Sequence, residues 1–167
     1  GVEWRQSPLE EEMDTRGVEL QVGPIDNPIL HTPGCVSMGN PHVVFFVPDV
    51  ETAPVREVGP MIEHHRLFPE GVNVGFAQIV ARDHIRLKVW ERGAGLTLAC
   101  GSAACAAGVS GARTGRTGRK VAITVASSPN RGTLTIDWRE DDHVVMTGPA
   151  EWEWSGMLDP VTGAFRR

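Results

Sequence analysis

The sequence predicts a largely antiparallel α+β domain. Three observations carry this: strand-like runs recur at short spacing along most of the chain, only two segments have helical patterning, and one glycine-rich stretch passes abruptly into a run of small residues. A doubly wound parallel sheet would need a helix after nearly every strand. Residues 7–16 are charged and carry Glu10-Glu11-Glu12, which reads as a solvated lead-in. Val18, Leu20 and Val22 alternate as a strand does, and Gly23-Pro24 ends the run. Residues 43–47 form a continuous β-branched and aromatic run between Pro41 and Pro48, which suits a central strand covered on both faces.

Thr52 is placed to cap a helix beginning near Pro54, with Val55, Val58 and Ile62 on one buried stripe and Pro60 expected to kink or split it. Residues 73–80 read as a strand. After the Arg82-Asp83 turn, Ile85, Leu87 and Val89 alternate in a second strand, making a hairpin. The segment from Gly93 to Val109 reads as a loop entering a helix of Ala, Ser and Gly. Beyond Arg119, strands are expected at residues 121–125, 133–138, 144–147 and 151–154, separated by Ser128-Pro129-Asn130, Glu140-Asp141-Asp142 and Gly148-Pro149 turns. In the last of these strands Trp152 and Trp154 would share one face, either core or interface.

The 167 residues carry 16 Lys+Arg against 21 Asp+Glu, a net charge of −5, which fits one domain over residues 1–167 and disfavours a nucleic-acid backbone as partner. No apolar run approaches the roughly 20 residues of a membrane span, and the first residues lack a signal peptide's apolar segment, so a cytoplasmic location away from membranes is expected. Three Cys are too few for a disulfide framework and favour free thiols and a small-molecule ligand.

Chemistry concentrates at Glu91-Arg92-Gly93-Ala94-Gly95 and Ala99-Cys100-Gly101-Ser102. Cys100 would sit where loop becomes helix. Unpaired N–H groups with partial positive charge lie there, so its thiol pKa is expected to fall and an acid/base or nucleophilic role follows. Gly101 and Ser102 would add N–H donors able to hold a carboxylate. A cysteine in an Ala-rich helix is also a common core residue, but Gly93, Gly95 and Gly101 place backbone freedom around one thiol, which plain packing does not require. Cys105 lies about 140° round the helix and reads as core, and Cys35 reads as structural.

Met38-Gly-Asn-Pro-His42 puts an imidazole at the start of a strand, either aimed at a site or serving only its loop. Asn73 could hold a ligand or satisfy its own backbone. His64-His65 lack the further ligands a metal needs, so no metal is expected, and Arg113, Arg116, Arg119 and Lys120 read as a solvated surface loop.

Taken together, Met38-Gly-Asn-Pro-His42, Phe68-Pro-Glu-Gly-Val-Asn-Val74, Glu91-Arg-Gly-Ala-Gly95, Ala99-Cys-Gly-Ser102 and Met146-Thr-Gly-Pro149 resemble, in order and spacing, the C-terminal half of the diaminopimelate epimerases. The resemblance extends over essentially the whole chain. It implies a barrel-like sheet wrapped around a central helix, here the one after Cys100, in one of two similar domains with the site between them. It also implies inversion of LL-diaminopimelate to the meso form without a cofactor, in the synthesis of lysine and cell-wall precursors. Cys100 matches one of the family's two acid/base cysteines. His42 and Glu91 match residues that tune those cysteines, while Asn40, Asn73, Glu91, Arg92, Gly101 and Ser102 match substrate contacts. Trp154 matches an aromatic position at a homodimer interface.

Two departures stand out. Ala103 replaces a usual glycine, and the segment bearing the other cysteine, which belongs to the family's N-terminal domain, has no counterpart here. The resemblance therefore implies half a site, inactive without that domain. The alternative is a non-catalytic binding or assembly module that has kept the fold.

Overall fold

The computed structural model describes residues 1–7, 9–126 and 132–166. The strands are β1 (Gln21–Val22), β2 (Leu30–His31), β3 (Gly34–Ser37), β4 (Pro41–Phe46), β5 (Asn73–Ala81), β6 (His84–Glu91), β7 (Gly95–Leu96), β8 (Lys120–Val125), β9 (Thr133–Trp138), β10 (Val144–Thr147), β11 (Met157–Leu158) and β12 (Phe165–Arg166). Among the described residues two helices, α1 (Val55–Glu63) and α2 (Gly101–Arg113), interrupt them. Among the described residues, eight strands form the main sheet in the order β10-β9-β8-β6-β5-β4-β3, with β7 paired to β6. The fold is α+β, as predicted.

Most neighbours are antiparallel, but β4 runs parallel to β5, and β6 parallel to β8. Parallel neighbours need a long crossover, and each helix is one: α1 links β4 to β5, and α2 links β6 to β8. Two helices therefore fit two parallel pairs in a sheet that is otherwise antiparallel.

The pleat divides the core. Val43, Phe45, Val74 and Phe76 face α1 with Val55, Val58 and Ile62, whereas Val44, Ala77, Ile85, Leu87 and Val89 face α2. β4 is covered on both faces, as its unbroken apolar run requires, although it lies second from the sheet edge and not at the centre. The curled sheet surrounds α2, which touches β3, β4, β5, β6, β8, β9 and β10. Only small residues fit such an enclosure. A Cβ on Gly108 would come within 2.9 Å of Ile136 Cγ2, and one on Gly111 within 2.7 Å of Thr117 Oγ1.

Several local expectations are corrected. Thr52 does not cap α1; its hydroxyl donates to the Asp49 carbonyl, and Pro54 occupies the cap without a side-chain bond. Pro60 lies inside a continuous helix, with only the N–H that would reach the Arg56 carbonyl lost. Residues 151–154 form no strand. They follow the Gly148-Pro149 break after β10 without joining the open edge of that strand, and Trp152 stands 83% exposed. Trp154 instead meets Phe165 edge to face, with ring centroids 4.9 Å apart.

The lead-in keeps its three glutamates exposed, but Leu9 and Thr15 are buried. Arg113 is also no surface residue: half-buried at the end of α2, it donates to the Cys35 carbonyl and to Thr15 Oγ1. The Ser128-Pro129-Asn130 turn lies outside the described residues. No helix among the described residues is long and apolar enough to cross a membrane.

Candidate active site

One end of the sheet gathers the chemistry. Because β4 and β5 are parallel, His42 and Asn73 are register partners at their starts, and the antiparallel β6 brings its final residues, Trp90 and Glu91, to the same end. The β3–β4 connection adds Asn40, and α2 begins there with Cys100, Gly101 and Ser102. Of the candidate site residues, Asn40, His42, Asn73, Glu91, Cys100, Gly101 and Ser102 come to this end, and Arg92 lies on the hairpin beside it.

Cys100 is the N-cap of α2, with extended backbone angles (φ −148°, ψ 101°), and its carbonyl accepts the Ala104 N–H at 3.1 Å. Its thiol is buried and lies 3.6 Å from Ser102 Oγ. No cap hydrogen bond of ordinary length closes on the sulfur, but the Ala103 amide is near enough to favour a thiolate. The expected fall in thiol pKa is overturned. Burial pushes it up, the Ser102 hydroxyl and Ala103 amide oppose that, and the Glu91 carboxylate adds to the rise. A helix start favours the anion, but burial and a neighbouring negative charge outweigh it.

A chain of donors runs behind the thiol. His42 Nε2 lies 3.0 Å from Asn40 Oδ1, and Asn40 Nδ2 donates to Ser102 Oγ at 3.4 Å. Since Asn40 Oδ1 can only accept, Nε2 carries the imidazole proton; since Ser102 Oγ accepts from Asn40, its own proton is free for Cys100. His42 is buried and its pKa falls to about 4, through burial first and the positive charge of Arg92 second. It is a neutral donor at pH 7 and is linked to Cys100 through Asn40 and Ser102.

Glu91 accepts a hydrogen bond from Thr97 Oγ1, a residue the sequence reading did not single out. Asn73 is buried: its Nδ2 donates to the Pro41 carbonyl at 2.9 Å and its Oδ1 accepts the Arg92 N–H at 3.0 Å, so it ties three strand ends together. Arg92 is exposed, with Nη1 donating to the Glu70 carbonyl at 2.9 Å. Gly93 and Gly95 have φ of +77° and +81°, so the tip between β6 and β7 needs their conformational freedom. Gly101 is half-buried under Met146, whose sulfur would lie 3.1 Å from an added Cβ.

Of the other cysteines, Cys35 is fully buried and pushed up to about 12 by that burial, as a structural thiol should be. Cys105 is half-buried against the α2 side of the core.

A curled sheet around a small-residue helix, with one buried thiol at the helix start and carboxylate, amide and guanidinium groups on adjoining strand ends, defines an α+β domain with a candidate acid/base site at one end of its sheet. The diaminopimelate epimerase profile matches residues 34–153, and the chain belongs to that family. It is 64% identical over 166 residues to the diaminopimelate epimerase of Caulobacter sp. (strain K31), covering 98% of this chain and 56% of that relative. It is 62% identical over 168 residues to the one of Rhizobium rhizogenes (strain K84 / ATCC BAA-868), covering 99% and 56%. The chain thus spans a little over half the length of these relatives. A PhzF-family phenazine biosynthesis protein structure from Enterococcus faecalis overlaps 60% of this chain and 35% of its own, with a TM-score of 0.45 at 15% identity.

Proposed function

We propose that residues 1–167 are the C-terminal domain of a diaminopimelate epimerase and that Cys100 is one of two thiols that invert an α-carbon of LL-diaminopimelate to the meso form without pyridoxal phosphate. The observation that carries this is the setting of Cys100, a buried thiol at a helix start between the Ser102 hydroxyl and the Glu91 carboxylate, in a chain of this family.

Inversion needs an acid and a base on opposite faces of the carbon. One thiolate removes the α-proton, leaving a carbanion beside the substrate ammonium and carboxylate. The opposite thiol then delivers a proton to the other face and becomes the thiolate. Cys100, held as a thiol by burial and Glu91, is ready to deliver, and the Ser102 hydroxyl and Ala103 amide support its thiolate in the reverse direction. The second thiol belongs to the N-terminal domain, outside this chain. Arg92 offers its free guanidinium N–H groups to a substrate carboxylate, and the Gly101 and Ser102 amides and Asn40 add donors around the same ligand. Exposed Leu98 and Met146 beside the helix start suit a surface that the other domain covers. Half-exposed Trp154 is a further contact for a second copy: Trp154→Ala is expected to weaken any dimer in sedimentation, and unchanged association would remove the contact.

The test is α-proton exchange of LL-diaminopimelate in deuterated buffer, followed by NMR. Exchange with formation of meso product is expected when the chain is joined to the N-terminal domain, and loss by about a hundredfold or more in Cys100→Ser. Folded, associated halves that produce no exchange would favour the non-catalytic module, and turnover by this chain alone would overturn the half-site.

A further inference from the structure

Glu63 ends α1 and belongs to none of the motifs of the sequence. Its side chain is only 8% exposed. Burial alone would push its carboxyl up, but hydrogen bonds from Trp90 and Gly93, with the charges of His64 and Arg92, outweigh that and hold it below the usual range. A carboxylate withdrawn from water must have its oxygens satisfied, and here the partners are specific. Oε2 accepts the Trp90 indole N–H at 2.8 Å, Oε1 accepts the Gly93 backbone N–H at 2.8 Å, and His64 Nε2 stands 3.7 Å away on the exposed side.

Trp90 and Gly93 flank two residues, Glu91 and Arg92. The grip therefore closes on either side of the pair that faces Cys100 and the substrate carboxylate. The turn between them is tight, with the Ala94 N–H bonded to the Glu91 carbonyl at 3.1 Å, and its exposed tip has little packing of its own. We propose that Glu63 is a positioning residue whose carboxylate, bonded at once to Trp90 and Gly93, holds Glu91 and Arg92 in register with the thiol. This rests on the roles given to Glu91 and Arg92 above. Asn73 secures the same tip through the Arg92 N–H, so two buried side chains from different elements converge on one turn.

Amide hydrogen exchange on ¹⁵N-labelled protein tests the grip directly. In the unsubstituted protein the Gly93 amide is expected to exchange as slowly as the ladder amides of β6 despite its exposed position; exchange at the rate of an open turn overturns the proposal even if no variant folds. In Glu63→Gln the side-chain nitrogen cannot accept, so one bond must break. Either Gly93 exchange accelerates about tenfold or more or the Trp90 indole proton moves upfield, while Leu87 and Val89 keep their protection. Neither change in a folded variant overturns the proposal. In the full-length epimerase the same substitution is expected to raise KM for diaminopimelate about fivefold or more with kcat less affected, and an unchanged KM overturns the positioning role. If the unsubstituted enzyme shows no epimerisation, the functional reading falls, and the exchange result still decides whether Glu63 holds the tip.

Discussion

Ser102 Oγ lies 3.6 Å from Cys100 Sγ and accepts a hydrogen bond from Asn40, which leaves its own proton available to a thiolate at Cys100. A hydrogen bond to sulfur favours the thiolate over the thiol. Ser102→Ala is therefore expected to raise the Cys100 pKa further and to slow its alkylation by iodoacetamide near pH 8 about two- to tenfold. An unchanged rate, with Cys35 and Cys105 distinguished by mass spectrometry, would show that the hydroxyl does not serve the thiol.

Glu91 acts with the opposite sign, since its carboxylate makes the neighbouring thiolate less favourable. Glu91→Gln removes the charge but keeps an oxygen for the Thr97 hydroxyl. The Cys100 pKa should fall, and alkylation near neutral pH should quicken about threefold or more in the same assay. A slower reaction would mean that Glu91 favours the thiolate instead.

How much of this was legible before the structure differs by kind. Periodicity located the strands well: residues 133–138 and 144–147 are β9 and β10 as read, and the Arg82-Asp83 turn joins β5 to β6. Alternation is a local property that survives folding. Pairing direction is not local, so the parallel β4–β5 and β6–β8 neighbours stayed hidden although the two helices that make them possible were visible. At the site, the motifs located Cys100 and the groups around it. The rise in its pKa was not legible, because burial and the approach of Glu91 depend on how separate elements pack. Glu63 was missed for the same reason. It sits one position past Ile62 on α1 and meets Trp90 and Gly93 only after β6 has folded across that helix. Residues 151–154 show the converse: a strand-like pattern remains a coil when the chain does not lie against a sheet edge.

His42 predicts a pH dependence of stability. Its pKa is lowered to about 4 in the fold against an ordinary 6.5, so the unfolded chain takes up the proton first as pH falls. The contribution is fully present above pH 6.5 and is lost as pH falls towards 4, amounting to on the order of 3 kcal/mol across that window. In urea titrations His42→Gln should flatten this part of the profile, leaving the slope from carboxylates. Parallel profiles for the two proteins would show that His42 does not titrate out of a buried site.

Gly59 sets two effects of different size against each other. It lies within α1, where alanine in place of glycine is worth about 1 kcal/mol in helix propensity. A Cβ there would stand 2.5 Å from Trp90 Cγ and 2.6 Å from Cδ2, well inside contact distance. Trp90 is a poor candidate to yield, because its ring packs against the α1 side of the core and its indole N–H is bonded to Glu63 at 2.8 Å. Overpacking of this kind costs about 1–3 kcal/mol, so the clash should exceed the helical gain. Gly59→Ala is expected to lower the urea midpoint at unchanged slope and, by displacing Trp90, to speed exchange at Gly93 as Glu63→Gln does. A midpoint equal to or above that of the unsubstituted protein would mean that the indole can retreat, and the grip on the Glu91-Arg92 turn would then be looser than its two hydrogen bonds imply.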